Sequence, residues 1–265
     1  MKKLAEKVLI KVAKLLNIDL LSHAHVQIGV GHNTYNSGEE FVLDHVIKQK
    51  LKRDPELIFD IGANIGSYAL ALAQQFPDSR IYCFEPVMEN FQNLTRNTSG
   101  TSIICENIAM SNNNEPLKLY RGSNDEDGSM CTSYKNVLES VFTFAGKASS
   151  EMTCEAITID SYCKKNKIES IDFLKIDIEG HEMVALEGAT EMLKEDRIKI
   201  IQFEFNEFHL QSRSTMLGFY QLLNNFNFYR IMPNHTLFRM GEYNSIHEIY
   251  RYQNILCLHK FLENR

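Results

Sequence analysis

The chain has 265 residues, enough for one large domain with a small appendage. Its hydrophobic content of 44% and charged content of 23% are typical of a globular protein. No apolar run approaches the roughly 18 residues that a membrane-spanning helix needs. The formal net charge of −6 argues against a general nucleic-acid-binding protein, which would usually be basic. The six cysteines are scattered without a C-x-x-C pair, which is typical of reduced thiols in a cytoplasmic protein.

Residues 1–20 predict an amphipathic helix within an N-terminal helical cap segment, residues 1–52. Its apolar and basic positions fall on different faces: Leu4, Val8, Val12, Leu15 and Leu16 on one, and Lys3, Lys7, Lys11 and Lys14 on another. The run lacks the uninterrupted apolar core of a signal peptide. One interpretation is a helix packed on the main domain or on a partner subunit of a homo-oligomer. The other is contact with an anionic membrane surface, which lysine-rich amphipathic helices can bind.

The stretch LIFDIGANIG, residues 57–66, predicts a buried strand, a tight glycine turn and a following helix. Asp60 interrupts the apolar run of the strand near its carboxyl end. A glycine at a strand exit lets the backbone turn sharply and come close to a ligand. The helix after the turn directs free N–H groups at that ligand. The turn consists of Gly62, Ala63, Asn64, Ile65 and Gly66.

The next strand, RIYCFEP at residues 80–86, ends in the acid Glu85. It lies about twenty residues after the glycine turn, the spacing at which such a unit offers a carboxylate to ribose hydroxyls. A nicotinamide site prefers G-x-G-x-x-G, and this chain lacks the middle glycine. It has instead Asp60 before the first glycine, which repels a pyrophosphate but suits a cofactor with an amino group and a sulfonium. The pattern therefore favours S-adenosylmethionine over a dinucleotide.

The segment TSIICENIAM, residues 101–110, predicts a third strand with Asn107 at its end. Because the adenine pocket of such a fold usually lies there, Asn107 is a candidate for the adenine edge, although asparagine is common at strand ends for turn reasons alone. Residues 111–150 then change to a polar, glycine-containing composition. We expect this stretch to be a substrate-facing insertion or lid.

A second strand–turn–helix unit, IDFLKIDIEGHEMVALEGA, follows at residues 171–189, with Asp177 at the strand end. Lys175 lies two residues earlier and projects from the same face, and a lysine in a buried strand needs an acidic partner. IKIIQFEFNEF repeats the pattern with Glu204 near its end. If the strand order is the usual one, the strands ending at Asp60, Asp177 and Glu204 are neighbours. The sequence then predicts three carboxylates along one rim.

The alternation of strands and helices predicts an α/β fold with right-handed crossovers. We expect about seven strands in a mostly parallel sheet, with helices on both faces. The last two strand candidates, FNFYRIM and NILCLHK, lie close together in the chain. Their spacing is typical of an antiparallel pair, so the last strand is predicted to be antiparallel.

Four segments together resemble the FkbM-type methyltransferase family over residues 55–210: FDIGANIGSYA, FEP, FLKIDIEGHEMVALEGA and IQFEFN. The resemblance implies a class I methyltransferase (Rossmann-like) fold in residues 53–265, S-adenosyl-L-methionine as the cofactor and methyl transfer to an oxygen. It implies acceptors such as hydroxyls of sugars, glycolipid or surface glycans, and polyketide-like small molecules. By motif position, Asp60, Gly62 and Gly66 would form the cofactor loop and Glu85 the ribose contact.

The candidate catalytic residues are Asp177, Glu204 and His181, with His209 as an alternative histidine. A base beside the acceptor hydroxyl could add roughly 10²–10⁴-fold in rate. His181 opens a predicted helix, whose dipole would lower its pKa and favour the neutral imidazole that a base requires. A structural ion-pair network around Lys175 is the alternative interpretation. An acid–histidine cluster can also hold a divalent ion, but this spacing is not diagnostic and no metal site is predicted.

The sequence favours a cytoplasmic O-methyltransferase over three other functions. A nicotinamide-dependent oxidoreductase or epimerase acting on a nucleotide sugar is disfavoured by the missing glycine and by the lack of a suitable Tyr-x-x-x-Lys pair. A non-catalytic scaffold is disfavoured by the intact glycine loop. A nucleic-acid methyltransferase would want a basic face and commonly an Asn/Asp-Pro-Pro-aromatic motif where this chain has DIEG. The expected partner is a small-molecule or glycan acceptor and no nucleic acid.

Overall fold

The computed structural model describes residues 10–31, 37–125, 130–140 and 148–263. Its strands alternate with helices along the chain, as the sequence predicts. In chain order the strands are β1 (Leu57–Ile61), β2 (Arg80–Phe84), β3 (Ile104–Glu106), β4 (Ala109–Met110), β5 (Leu117–Gly122), β6 (Ala148–Cys154), β7 (Ala156–Ile157), β8 (Ile171–Ile176), β9 (Ile198–Phe205), β10 (Phe226–Met232), β11 (Thr236–Arg239) and β12 (Gln253–His259).

The helices lie between these strands and at the amino-terminal side of β1. One of them, α2, is continuous but has a π-helical middle turn. The helices are α1 (Leu20–Val26), α2 (Glu39–Phe41, Val42–Val46 and Ile47–Leu51), α3 (Ser67–Gln75), α4 (Met88–Asn97), α5 (Lys135–Ser140), α6 (Ile159–Asn166), α7 (Glu182–Glu187), α8 (Thr190–Lys194), α9 (His209–Ser212) and α10 (Met216–Leu222), with short 3₁₀ turns at Ser245–His247 and Lys260–Leu262.

The central sheet has eight strands in the order β11-β10-β12-β9-β8-β1-β2-β3. The strands from β9 to β3 pair in parallel, and β12 runs antiparallel between β9 and β10. The prediction of a mostly parallel α/β sheet with an antiparallel last strand is confirmed. The sheet has eight strands instead of about seven because the four-residue β11 forms a hairpin with β10. So short a strand has no clear periodic signal in the sequence.

The two faces of the sheet each pack against an apolar cluster, and β1 contributes to both. Phe59 and Ile61 face one cluster, and Ile58 faces the other. Val42 and Ile47 of α2 are fully or almost fully buried in the second cluster. This part of the predicted cap segment therefore shares its core with the sheet, because α2 has an apolar stripe that must be covered. The predicted domain boundary at residue 53 stays a prediction.

Two small sheets lie beside the central one. β4 pairs with β7 in parallel, and β5 pairs with β6 antiparallel. The second pair comes from the predicted insertion at residues 111–150, of which residues 126–129 and 141–147 lie outside the described part. Leu119 on β5 is buried. The insertion therefore contributes ordered walls next to the central sheet.

The amino-terminal helices are the most apolar exposed surface of the described chain. Residues 10–15 are helical, and residues 1–9 of the predicted amphipathic helix lie outside the described residues. Leu15 is 84% exposed, Leu21 65% and Leu16 61%. In the part of the chain that the structure describes, no helix combines the length and the apolar character needed to cross a bilayer. The two interpretations of this segment, a packed helix and a membrane contact, both stay predictions.

Candidate active site

A cavity of about 250 Å³ opens at the carboxyl ends of β1, β2, β8 and β9. This is the edge at which open α/β sheets bind ligands. Six of the residues predicted from the sequence line it: Gly62, Asn64, Glu85, Asp177, His181 and Glu204. The fold therefore brings together side chains that are separated by up to about half of the chain.

The glycine turn is fastened to the end of β2. The backbone N–H groups of Gly62 and Ala63 donate to the carbonyl oxygen of Phe84 over 2.9 and 3.1 Å. Gly62 and Gly66 have φ angles of +83° and +90°, which favour glycine, and Gly66 immediately precedes α3. Ala63 is 5% exposed and packs into the core. Ala63 therefore shapes the turn from below, while Gly62 and Asn64 line the cavity.

Glu85 is the best-defined cofactor candidate. Its Oε2 accepts from the backbone N–H of Asn64 at 2.9 Å, and its Oε1 accepts from that of Val87 at 2.8 Å. Each carboxylate oxygen keeps a lone pair, so two neighbouring hydroxyls can still bind. Burial raises the pKa of Glu85 to about 7 in spite of these two donors. This arrangement suits the two hydroxyls of a ribose.

Asn64 and Asn107 flank Glu85 in different ways. The buried Oδ1 of Asn64 has no hydrogen-bond partner among the described residues, so it is available to a ligand donor. The Nδ2 of Asn107 donates to the carbonyl oxygens of Glu85 at 2.9 Å and Pro86 at 3.1 Å. Asn107 thus braces the turn after β2 and keeps its Oδ1 for an acceptor role. Its predicted contact with adenine stays a prediction.

An apolar wall extends the cavity beyond Glu85. Val87, Ile108, Met110, Leu117 and Leu119 line it. An apolar slot next to a carboxylate that suits a ribose also suits a purine ring. These residues were missed by sequence reasoning, since apolar residues at strand ends look like ordinary core. Together with the orphaned Oδ1 of Asn64, the slot shows that the residues present fit an adenosyl cofactor.

Asp177 and Lys175 form an ion pair at the end of β8. The Nζ of Lys175 donates to Oδ2 of Asp177 at 3.0 Å, and the side chain of Asp177 is 36% exposed. Burial acts to lower the pKa of Lys175, but the neighbouring carboxylates, above all Asp177, outweigh it and raise that pKa. Lys175 is therefore charged. The predicted acidic partner of the buried lysine is confirmed.

Asp60 does not stand on the rim with Asp177 and Glu204. It is completely buried, and neither of its carboxylate oxygens has a hydrogen-bond partner among the described residues. Burial raises the pKa of Asp60 to about 6. Asp60 pairs with Lys175 across the sheet, and Lys175 pairs with Gln202, so Asp60 lies two residues short of the level of Asp177 and Glu204 and below the rim. The prediction of three carboxylates along one rim is therefore wrong for Asp60 and holds for the other two.

Two more acids line the cavity beside Asp177. The Nδ2 of Asn206 donates to Oε1 of Glu204. Burial and the negative charge of Asp177 raise the pKa of Glu204 well above its ordinary value, which favours the protonated acid. Glu179 has a φ of +52°, and burial raises its pKa in the same way. Sequence reasoning missed Glu179 because it lies within the turn of the DIEG segment.

His181 lies in the cavity wall. Its Nε2 is 3.2 Å from the Oγ of Ser111, and its Nδ1 is 3.4 Å from the hydroxyl of Tyr134. Burial lowers the pKa of His181 to about 4, so the ring is neutral at physiological pH. The direction agrees with the sequence prediction, but burial is the larger cause and a helix dipole is not needed. The following helix, α7, has only six residues.

The alternative histidine, His209, is not available to an acceptor. It is completely buried, and its Nε2 lies 3.0 Å from Oε2 of Glu182. The backbone N–H of Asn206 donates to its Nδ1 at 3.2 Å. Both ring nitrogens are therefore occupied by the protein, which corrects the proposal that His209 could serve as the base.

The cavity is strongly acidic. Its described lining contains the carboxyl groups of Glu85, Asp177, Glu179 and Glu204 and no lysine or arginine. Within residues 10–31, 37–125, 130–140 and 148–263, no three His, Cys, Asp or Glu side chains are arranged to hold a metal ion.

The strand order, the glycine turn after β1 and the acid after β2 define a class I, S-adenosylmethionine-dependent methyltransferase. The profile of the methyltransferase FkbM domain matches residues 60–232. The chain belongs to the FkbM methyltransferase family, and the predicted resemblance and cofactor are confirmed.

Two relatives match a large part of the chain. Hexuronic acid methyltransferase AglP of Haloferax volcanii is 24% identical over 168 residues, which are 62% of this chain and 62% of AglP. The match thus spans about three fifths of the length of that relative. The 2-O-methyltransferase NoeI of Sinorhizobium fredii is 26% identical over 172 residues, which are 60% of this chain and 67% of NoeI.

Among solved structures, the methyltransferase FkbM from Methylobacillus flagellatus is similar with a TM-score of 0.45 and 16% identity. The similarity covers 76% of this chain and 43% of that one. The fold assignment rests on the strand order of the sheet and not on this similarity.

Proposed function

We propose that the protein transfers a methyl group from S-adenosylmethionine to a hydroxyl of a neutral sugar, glycan or similar polyhydroxyl molecule. One observation carries the proposal: Asp177, which accepts a hydrogen bond from Lys175, lines the same cavity as Glu85, the proposed ribose contact. Family membership favours methyl transfer over the alternative of a nicotinamide-dependent oxidoreductase or epimerase. The name of NoeI, a 2-O-methyltransferase, supports transfer to oxygen.

The bound cofactor supplies a methyl group on a positively charged sulfur, which an oxygen nucleophile displaces in line. Glu85 and Asn64 would hold the ribose and fix the position of that sulfur. Because Asp177 is a carboxylate at the cavity surface, it would accept the proton that the acceptor hydroxyl loses. Such a base contributes roughly 10²–10⁴-fold in rate, and correct positioning up to ~7–11 kcal/mol.

Lys175 and Glu204 support Asp177 in different ways. Lys175 donates to Oδ2 of Asp177 and fixes it, so that Oδ1 can face the acceptor. The raised pKa of Glu204 favours its protonated form, which can donate a hydrogen bond to an acceptor oxygen. Glu204 would therefore orient the hydroxyl rather than deprotonate it, which divides the two roles that the sequence left open.

His181 is a poorer candidate for the base than Asp177. The side chain of Asp177 is 36% exposed to the cavity, whereas His181 is buried. Its two nitrogens also face the hydroxyls of Ser111 and Tyr134. We therefore assign His181 to the wall of the cavity, where it links the insertion to the strand end.

The lining of the cavity favours an uncharged acceptor. It contains four carboxyl groups and, among the described residues, no lysine or arginine, so a uronate or a sugar phosphate would find no cationic partner there. Hydroxyl groups can pair with both neutral and ionised carboxyls. Although AglP is named for hexuronic acid, the lining described here supports a neutral acceptor for this chain.

The test uses radiolabelled S-adenosylmethionine and matched acceptor pairs, each a neutral glycoside and the corresponding uronic acid. We expect label to enter the neutral member at least tenfold more efficiently, with the new O-methyl group located by NMR. Preferential labelling of the uronic acids would contradict the neutral-acceptor assignment, and label on nitrogen would contradict O-methylation. Calorimetry with S-adenosylhomocysteine and with NAD separates the methyltransferase from the oxidoreductase, since only the first ligand should bind.

A further inference from the structure

A second group of polar side chains, three of them ionisable acids or bases with a charged form at neutral pH, lies beside the cavity, on the sheet face covered by α2 and α3. It comprises Glu39 at the start of α2, Asp60 on β1, Tyr68 on α3, Lys175 on β8 and Gln202 on β9. Asp60 and Gln202 are the cross-strand neighbours of Lys175. The Nζ of Lys175 lies 4.8 Å from the centre of the Tyr68 ring. We call this group the Lys175 cluster.

The Lys175 cluster has too little positive charge. Among the described residues, Lys175 is the cation that acts on Asp60 and on Glu39, yet its ammonium is paired with Asp177 at 3.0 Å. Asp60 has no hydrogen-bond partner in the described chain, and Glu39 has neutral ones. Buried carboxylates that lack a cation are costly, and a bound cation would relieve that cost.

Glu39 is held in place although its charge is not neutralised. Its Oε1 accepts from Nε2 of Gln202 at 2.6 Å, and its Oε2 accepts from Oγ of Ser37 at 2.9 Å. Burial raises the pKa of Glu39, as it does that of Asp60. Two neutral donors thus fix the carboxylate of Glu39 beside Lys175 and Asp177, and its remaining lone pairs can accept from a ligand.

The position of the cluster identifies the cation. Glu85, which suits the ribose, lies at the end of β2, and the apolar slot continues toward β3 and β4. The end of the cofactor away from the adenosine would then extend past β1 toward β8. There Asp177 lines the cavity and connects it with the Lys175 cluster. That end of S-adenosylmethionine carries an α-ammonium group.

We propose that Glu39 receives the α-ammonium group of the cofactor, with Asp60 adding its negative charge beneath. Lys175 and Asp177 form a self-contained pair and take no part in this contact. The inference rests on the cofactor and not on the acceptor, so it can fail or succeed independently of the proposed acceptor class.

The test is calorimetry on the full chain without acceptor. The probes are S-adenosylhomocysteine and its analogue in which hydrogen replaces the α-amino group. The wild-type protein should bind the analogue at least tenfold more weakly. Glu39→Gln keeps the size of the side chain and removes its charge, so it should bind S-adenosylhomocysteine about tenfold more weakly and the analogue unchanged. The four affinities of the two proteins for the two ligands form a thermodynamic cycle, which isolates the interaction between Glu39 and the amino group.

Glu40→Gln is the matched control, since Glu40 is the exposed neighbour of Glu39 on the same helical turn. It should change neither affinity. Equal weakening of both ligands by Glu39→Gln would show a purely structural role and overturn the proposal, as would no weakening of either. Comparison of the two ligands on the wild-type protein needs no variant, and equal affinity there would also overturn it.

Discussion

Gly62 and Asp177 approach so closely that a Cβ atom on Gly62 would lie 1.8 Å from the carbonyl oxygen of Asp177. The backbone N–H of Asp177 in turn donates to the carbonyl oxygen of Ile61 at 2.9 Å. The glycine is therefore required by the packing of the β1 and β8 ends, and not only by a ligand. Because Asp177 is the proposed base, this contact sets the distance between the cofactor turn and the catalytic carboxylate.

Gly62→Ala should consequently destabilise the fold as well as the cofactor site. We expect the free energy of unfolding to fall by about 3 kcal/mol or more, because the Cβ meets backbone that cannot move aside. Gly100→Ala is the matched control: its φ is +84°, and nothing lies within 4 Å of the added Cβ. Gly100→Ala should lower the free energy of unfolding by only about 1 kcal/mol, because alanine is strained in the left-handed backbone conformation. Chemical denaturation measures both, and equal losses would refute the close-contact explanation.

The buried carboxyl of Glu85 should make the cofactor-free protein less stable as the pH rises. Its pKa is raised from 4.5 to about 7 on folding, so the folded state holds its proton more tightly than the unfolded state does. The stabilisation is complete below pH 4.5 and is lost as the pH rises through about 7, on the order of 3 kcal/mol in total.

Glu85→Gln removes this titration. The free energy of unfolding of the wild type should fall between pH 5 and pH 7.5 relative to that of the variant. The readout is the slope with pH, because glutamine also lacks one acceptor oxygen and changes the absolute stability. Glu115→Gln, at an exposed position, should leave the wild-type slope unchanged. Parallel curves for wild type and Glu85→Gln would show that Glu85 titrates normally in the folded protein.

The amino-terminal segment should bind anionic lipid if its exposed face meets a membrane. Leu15, Leu16 and Leu21 are largely exposed, and Lys11 and Lys14 lie among them. We expect co-sedimentation with phosphatidylserine vesicles that added salt reverses, since salt screens the lysine charges.

Charge reversal at two places tests whether lipid binding depends on the lysines of this segment or only on the net charge of the molecule. Replacing Lys11 and Lys14 together by glutamate should abolish the sedimentation, and the same change at the exposed Lys164 and Lys165 of α6 should not. Equal sedimentation of all forms with and without anionic lipid would leave the packed-helix interpretation. Concentration-dependent mass in analytical ultracentrifugation would then point to a homo-oligomer.

The sequence predicts a candidate site residue best where that residue lies directly beside a recognisable strand or turn. Gly62, Glu85 and Asp177 each follow directly on an apolar strand, so the strand end marks them. Glu39 could not be found this way, because its partner Gln202 is 163 residues away and only the folded sheet brings them together. Asp60 looked like a rim residue because it stands near the end of its strand, but the register places it level with Lys175, two residues below Asp177.

Asp177→Asn tests the proposed base most directly. Asparagine keeps the size of the side chain and an oxygen that can accept from Lys175, so the fold and the cofactor contacts should survive. It removes the charge that takes up the acceptor proton. We expect S-adenosylhomocysteine affinity within about twofold of wild type and kcat at least a hundredfold lower, in line with the roughly 10²–10⁴-fold worth of a general base.

Glu204→Gln should be much milder, which distinguishes the two acids that line the cavity. Because the raised pKa of Glu204 favours its neutral form, glutamine resembles it in charge and in most of its hydrogen bonding. A loss of kcat below about tenfold is expected, with calorimetry showing unchanged cofactor binding. Suppose instead that Glu204→Gln abolishes transfer while Asp177→Asn retains full activity per folded molecule. Asp177 would then be only the structural partner of Lys175, and the base would have to be Glu204.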